Sequence, residues 1–438
     1  MRLGQFFQWL FAGADNDFLK GWKQQVLVLS FALFISVYYL GQTFSSFRMS
    51  VYLFVLLSFV PVFVHGVFLK VTKDPLVWVV VVFGLYMAVT ALWHEDNVDI
   101  FNKELRHLLL LVFFISGIAL LQYRGNIIRY VQVVLFVVSA LLSIISLVDF
   151  YSEHSFSRRL QSYGILANSA QLVYGLGLGF VCGMSLLLDV NIPRYRALVW
   201  IGLFWVLAAA ILTGSRGGGV GITCVALGYA FFVYGWRVCV FLSLCLLSAL
   251  CVWLMFGYDS LRMSSISARF EIWELLLADV KGRWLLGVGV DGRDLSTLLG
   301  DLGAHAHSLY FSVYYRGGVV GLALLCLLLL TMAQKVYRLG VRNSSFFLTA
   351  MLSFVLIVSI ADLGDLFWRP TYLWMYFWLP IGLLLGESMR HVERQSQSVV
   401  NLGMAQFVAI QQGQGLGVEY KKARECDHKN PDLIFQSK

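Results

Sequence analysis

The sequence predicts an all-α polytopic integral membrane protein of about twelve transmembrane helices. One large segment outside the bilayer separates the ninth from the tenth. Three observations carry this. The chain is 59% hydrophobic and 13% charged, about half the charge density with which a soluble domain covers its surface. Its apolar residues run in stretches of the length a bilayer core needs, about 20 residues. Its lysines and arginines collect in alternate loops, as orientation in a membrane requires. Backbone groups facing lipid must be satisfied within their own segment, so the long apolar runs are read as helices.

Residues 1–24 are amphipathic and mixed, with Arg2, Asp15, Asp17, Lys20 and Lys23. No small-residue cleavage site precedes the first apolar run, so they are read as a cytoplasmic segment, not a cleavable signal. A transmembrane domain is expected over 25–388. Its spans run approximately Gln25–Thr43, Val51–Leu69, Leu76–Trp93, Leu108–Gln122, Ile127–Phe150, Leu166–Leu188, Leu198–Thr213, Gly217–Gly235, Val238–Phe256, Gly317–Ala333, Phe346–Ala361 and Thr371–Gly386. The span at Leu166 carries Asn168, Gln171 and several glycines, and is expected to face the protein interior. Residues 389–438 turn polar, with Gln-Gln-Gly-Gln-Gly and Lys-Asn-Pro-Asp, and are read as a flexible cytoplasmic tail.

With the N-terminus in the cytoplasm, the inner loops hold Lys70 and Lys73, Arg124 and Arg129, Arg194 and Arg196, Arg237, then Lys335, Arg338 and Arg342. The outer segments are mixed or acidic, with Glu95, Asp96, Asp99 and Glu104 near Lys103 and Arg106, and Asp362 and Asp365 beside Arg369. This alternation puts Arg216, after the seventh span, on the outer side. The long segment 257–316 shares that side. Within it, Ser267 is a candidate cap for a helix with apolar positions Phe270, Trp273, Leu276 and Leu277. That helix would lie along the interface and carry Arg269, Glu271, Glu274 and Asp279 on its wetter faces. Gly287 to Gly292 then form a turn-rich loop.

Most of the chain is chemically mute. Six of the seven cysteines lie inside apolar runs and act as small hydrophobes. The net charge of +8 is spread over loops, with no basic run suited to nucleic acid. The polar exception is His305–Gly321, reading His-Ala-His-Ser-Leu-Tyr-Phe-Ser-Val-Tyr-Tyr-Arg-Gly-Gly-Val-Val-Gly. His305-x-His307 lacks a third ligand at metal-site spacing, so no metal is assigned. A histidine's other use is proton transfer near neutral pH, although one at a span end is more often structural. Arginines suit a phosphate, because a guanidinium stays charged and pairs bidentately. Arg216 lies in Thr213-Gly214-Ser215-Arg216-Gly217-Gly218-Gly219, a run without the Gly-Lys-Ser/Thr ending of a phosphate loop. Its bland alternative is an interfacial anchor, and that of Arg269 is an exposed helix charge. Arg158, Arg159, Arg262, Arg283, Arg293, Arg316 and Arg369 are further outer arginines. Gly317, Gly318 and Gly321 suit close helix packing. Tyr310, Tyr314 and Tyr315 fit an interfacial belt, and Asp291, Asp294 and Asp301 suit turns.

His307-Ser308, nine residues, then Gly318-Val319-Val320-Gly321 resembles the His-[Asn/Ser/Gln]-x9-Gly-x-x-Gly pattern of bacterial O-antigen ligases. Thr213-Gly214-Ser215-Arg216-Gly217-Gly218 resembles the Ser-Arg-Gly segment of the wider O-antigen ligase and polymerase superfamily. Arg269-Phe-Glu-Ile-Trp273, followed by Leu286-Gly287-Val288-Gly289, resembles the segment those proteins carry before the histidine. The motifs span roughly Ala210 to Leu322. The resemblance implies a GT-C-like glycosyltransferase of the bacterial inner membrane with its active site facing the periplasm. Its donor would be a glycan on undecaprenyl pyrophosphate and its acceptor lipid A-core oligosaccharide, among membrane lipids. No cofactor, metal or nucleic acid would take part. His307 would be the catalytic base of an inverting transfer. Arg216 and Arg269 would bind the pyrophosphate, with Ser215, Arg316 and Arg369 as further candidates and Gly318 and Gly321 packing helices at the site. The alternatives are an O-antigen polymerase or a protein O-oligosaccharyltransferase using the same donor. A transporter or flippase is a different class, disfavoured because ionisable residues sit at span ends without internal repeats.

Overall fold

The computed structural model describes residues 21–93, 98–155, 158–189, 193–244, 264–290, 306–340, 343–361, 366–367 and 369–411. The chain divides into two units, Met1–Ser388 and Met389–Lys438. Among the described residues all regular structure is helical. Helices α1 to α9 are Trp22–Leu40, Phe44–Val64, Val67–Thr72, Pro75–Thr90, Val98–Gly125, Ile128–Glu153, Ser169–Asp189, Pro193–Leu212 and Arg216–Tyr234. Residues 236–244 are helical, and the rest of the expected ninth span lies outside the described residues. Then come α10 (Ser264–Val280), α11 (Leu309–Leu339), α12 (Asn343–Ala361), a π-helical stretch Trp374–Trp378, and α13 (Leu379–Gln411). Among these, eight helices are long and apolar enough to cross a membrane, and Gln24–Leu40 and Ser344–Ile360 are shorter apolar helices. The chain is therefore an all-α polytopic membrane protein.

Local chemistry sets several boundaries. Thr43 accepts a hydrogen bond from the Ser46 amide (3.2 Å) and caps α2. Asp74 accepts from the Leu76 amide (2.9 Å), and Pro75 follows at the first position of α4, where its missing N–H costs nothing. Lipid gives two apolar helices no hydrophobic reason to associate, so small residues that allow close packing decide who neighbours whom. The glycine-rich α7 is accordingly the central helix, with 89% of its apolar stretch buried, as the Gln171 and glycine content of this span predicts. A Cβ on its Gly177 would collide with the Phe354 ring of α12, which also fills the space beside Gly221 of α9.

The contacts define two ends of the first unit. At one end Lys335 of α11 pairs with Asp74 (2.6 Å), and Arg129 faces Asp189 (3.7 Å). There Gln122 donates to Glu387 (2.6 Å) and accepts from the Ile128 amide (2.9 Å). At the other end Ile165 N–H donates to the Gly41 carbonyl (3.1 Å), Leu160 N–H to that of Leu212 (2.9 Å), and Val290 N–H to Thr90 Oγ1 (3.2 Å). Helix α11 runs antiparallel to α4. Tyr86 Oη bonds the Gly317 carbonyl (2.7 Å) at one end and Asp74 meets Lys335 at the other.

Three expectations are corrected. Ser267 lies inside α10, so it does not cap that helix. The buried face of α10 is Ile272, Leu276 and Val280; Phe270 and Leu277 are exposed. Both faces of this stretch are apolar, and periodicity alone cannot choose between them. Finally, α11 begins at Leu309, so the last turns of the expected outer segment already belong to the helix. In the second unit, residues 389–411 of the expected tail are helical, with Gln395 donating to His391 one turn earlier (3.0 Å). Residues 412–438, 1–20, His305, Asp291, Asp294, Asp301, Arg262 and Arg293 lie outside the described residues.

Candidate active site

The site is built on a joint between a loop and a broken helix. Gly318 interrupts α11 with φ 61° and ψ −159°, a conformation essentially confined to glycine. The break frees backbone groups, and residues 284–289 take them up. Val319 N–H donates to the Trp284 carbonyl (3.0 Å) and Val320 N–H to that of Leu285 (3.2 Å). In return Val288 N–H donates to the Tyr315 carbonyl (2.7 Å) and Gly289 N–H to that of Arg316 (2.9 Å). The two backbones approach so closely that a Cβ on Gly287 would lie 2.5 Å from the Gly318 nitrogen. Gly318 therefore receives a loop, where the sequence suggested a second helix. Gly317 and Gly321 do pack against a helix, at the Tyr86 ring of α4.

Above this joint α10 docks on the first segment of α11. Ile272, Leu276 and Val280 form a buried cluster with Val288, Ala306 and Tyr315. Tyr315 Oη hydrogen-bonds Asp279 Oδ2 (2.9 Å). The Trp273 ring stacks on Phe311 at 4.7 Å and 9°. Its Nε1–H donates to the carbonyl of Ala306 (2.9 Å), the residue immediately before His307.

His307 is half-buried and sits directly before Ser308, the N-cap residue of α11. Its φ is 47°, one of two positive values among the described non-glycine residues. Such a backbone is uncommon for a residue with a side chain and persists only where the surroundings hold it. Arg269, half-buried, lies on α10 one turn before Trp273. The fold thus sets Arg269 one helical turn from Trp273, whose indole bonds the residue before His307.

Arg216 reaches the same end through its own contacts. It is exposed at the first position of α9, after Gly214 (φ 62°) and Ser215, whose amide donates to Thr213 Oγ1 (3.2 Å). Helix α9 packs on α12, with Gly221 against Phe354 and Val358, and Tyr229 beside Phe346 (5.9 Å). Tyr310 of α11 donates to the Leu356 carbonyl on the same α12 (3.2 Å). Arg216 and His307 thus crown two helices that share one neighbour. Arg159 lies beside the Arg216 turn, its Nε 3.4 Å from where a Gly214 Cβ would stand.

Arg316 points elsewhere. With Ser312 and the buried Glu104 it lines a cavity walled by Phe83, Met87 and Phe367. Glu104 is 4% exposed, whereas the sequence suggested an ordinary loop acid. A carboxylate this buried requires compensation, and the guanidinium lining the same cavity is of the sign to give it. Arg369 is exposed.

Trp273 and Gly287 stand in segments that carried the family resemblance, but as an apolar and a turn position with no role of their own. Glu104, in the neighbouring cavity, was read as an outer-loop acid, and nothing in the chain around it signals its burial.

Comparison with known proteins bears on the same stretch. Residues 201–326 match the family model described as O-antigen ligase. That stretch holds Ser215, Arg216, Arg269, His307, Arg316, Gly318 and Gly321, with Arg369 beyond it. No curated protein matches the chain.

Proposed function

The chain is a member of the O-antigen ligase/polymerase superfamily, and from that premise we propose that it is an O-antigen ligase. The family implies a lipid-linked glycan as substrate and a glycosyltransferase type of activity. In our reading the donor is a glycan on undecaprenyl pyrophosphate and the acceptor is lipid A-core oligosaccharide. The site faces the periplasm of the inner membrane, where the basic loops lie on the opposite, cytoplasmic side.

The reaction is an inverting, metal-independent displacement. His307 accepts the proton of an acceptor hydroxyl while that oxygen attacks the anomeric carbon. The bond from that carbon to the pyrophosphate oxygen breaks, and undecaprenyl pyrophosphate leaves with the electron pair. Arg216 and Arg269 bind the pyrophosphate and stabilise the charge that grows on it. The observation that carries this reading is the clamp of α10 on the residue before His307. It ties the helix that carries Arg269 to the residue before His307, at the end of the bundle that also bears Arg216, which supports assigning these residues to one site.

The test is transfer by purified protein in lipid nanodiscs. A general base is worth roughly 10²–10⁴ in rate, so His307→Ala should lose transfer by that factor while remaining a folded membrane protein. Arg216→Ala and Arg269→Ala should weaken donor binding. Variants that transfer at wild-type rates would refute the assignment. Deleting the gene distinguishes ligase from polymerase: bare lipid A-core supports the ligase, core bearing single repeats the polymerase.

A further inference from the structure

Between Arg269 and His307 stands a side chain to which the reaction above gives no role. Trp273 is one helical turn from Arg269, so their side chains lie on the same face of α10. Its ring is fixed by the nearly parallel Phe311 ring at 4.7 Å, and Phe311 belongs to the helix that His307 precedes. Its N–H is spent on the Ala306 carbonyl at 2.9 Å, and Ala306 is itself buried. The next residue, His307, holds a left-handed backbone with φ 47°. A side-chain-bearing residue stays there only under external constraint, and this hydrogen bond supplies one at the adjoining peptide unit. Packing alone would not need the N–H: Ile272, Leu276 and Val280 already seal α10 against Val288 and Tyr315.

We propose that Trp273 is a positioning residue of the transfer reaction, whose indole N–H holds the His307 backbone in register with Arg269. The proposal rests on the reading of His307 as the base. Its prediction concerns the chemical step: a tilted His307 takes the acceptor's proton less readily, while the donor still binds to its arginines.

The experiment replaces Trp273 with 3-benzothienylalanine, which keeps the ring shape and stacking but carries sulfur where the N–H was, and separately makes Trp273→Phe. Each protein is assayed in nanodiscs with an undecaprenyl-pyrophosphate-linked glycan and lipid A-core, and its melting temperature is recorded. Leaving a buried carbonyl without its donor predicts a fall in kcat of about tenfold. KM for the donor should stay within about twofold of wild type, and the isostere should stay folded, melting at most a few degrees below the wild type. Wild-type kcat in the isostere overturns the proposal, and so does a rise in KM at constant kcat. If Trp273→Phe does not fold, the isostere alone decides. His307→Ala in the same assay separates the two claims. Full activity there removes the base assignment and this inference with it, whereas loss there beside an unaffected isostere removes only the role of Trp273.

Discussion

Gly318→Ala tests the joint on which the site stands. The residue's φ of 61° and ψ of −159° cost an alanine about 1–3 kcal/mol. Its Cβ would also lie 2.5 Å from the Gly287 nitrogen, against backbone that has no rotamer to yield. The structure can relieve this only by straightening the helix or lifting residues 284–289 away. Either response breaks the hydrogen bonds of Val288, Gly289, Val319 and Val320, each worth roughly 0.5–1.5 kcal/mol. The strain alone predicts a loss of amide protection of roughly 5- to 150-fold at Val288 and Gly289. Hydrogen–deuterium exchange of peptides covering 284–290, in nanodiscs, reads this directly. Transfer activity should fall with it, because Val288 belongs to the cluster that seats α10 beside His307. Helices α1 and α2, remote from the joint, should exchange as in the wild type. Gly228→Ala is the control: it is helical, exposed and has nothing within 4 Å of the new Cβ. Wild-type protection and activity in Gly318→Ala would refute the idea that this glycine holds the joint together.

Further outcomes are expected elsewhere. A Cβ on Gly218 would stand 2.5 Å from Val173 Cγ2, so Gly218→Ala should cost about 1–3 kcal/mol by overpacking and weaken donor binding by shifting Arg216. Val173→Ala in the same protein should restore both melting temperature and KM, and no restoration would refute the contact. At the opposite end, Asp74→Ala removes both the cap of α4 and the partner of Lys335, whose side chain is 13% exposed. It should destabilise by about 2 kcal/mol or more. Adding Lys335→Met should recover the ion-pair part and leave the cap's share of about 1 kcal/mol. Thermal melts of the single and double variants separate the two.

Membrane insertion and the order of helices were legible in the chain, because hydropathy acts residue by residue over a window. The central place of α7 was legible for a related reason: glycine and Gln are uneconomical facing lipid and useful facing protein. The motif residues His307, Arg216 and Arg269 were legible through the resemblance of their segments to the ligase pattern; side-chain chemistry alone did not separate them from the other outer arginines.

What surrounds those residues was decided by tertiary structure alone. Nothing in the sequence near Ala306 shows that its carbonyl takes the indole N–H of Trp273, a residue 33 positions earlier. Nor does Gly318 say whether it receives a helix, a ligand or a loop; only the Gly287 backbone lying against it does. The face of α10 that turns inward, the burial of Glu104 beside Arg316, and the seating of α9 and α11 on one shared helix have the same origin. Each is a contact between distant segments, set by which shapes fit once the helices have packed. Local pattern fixes what a residue is able to do. The packed neighbours fix what it touches, and at His307 they also fix a backbone conformation that the residue would rarely adopt unaided.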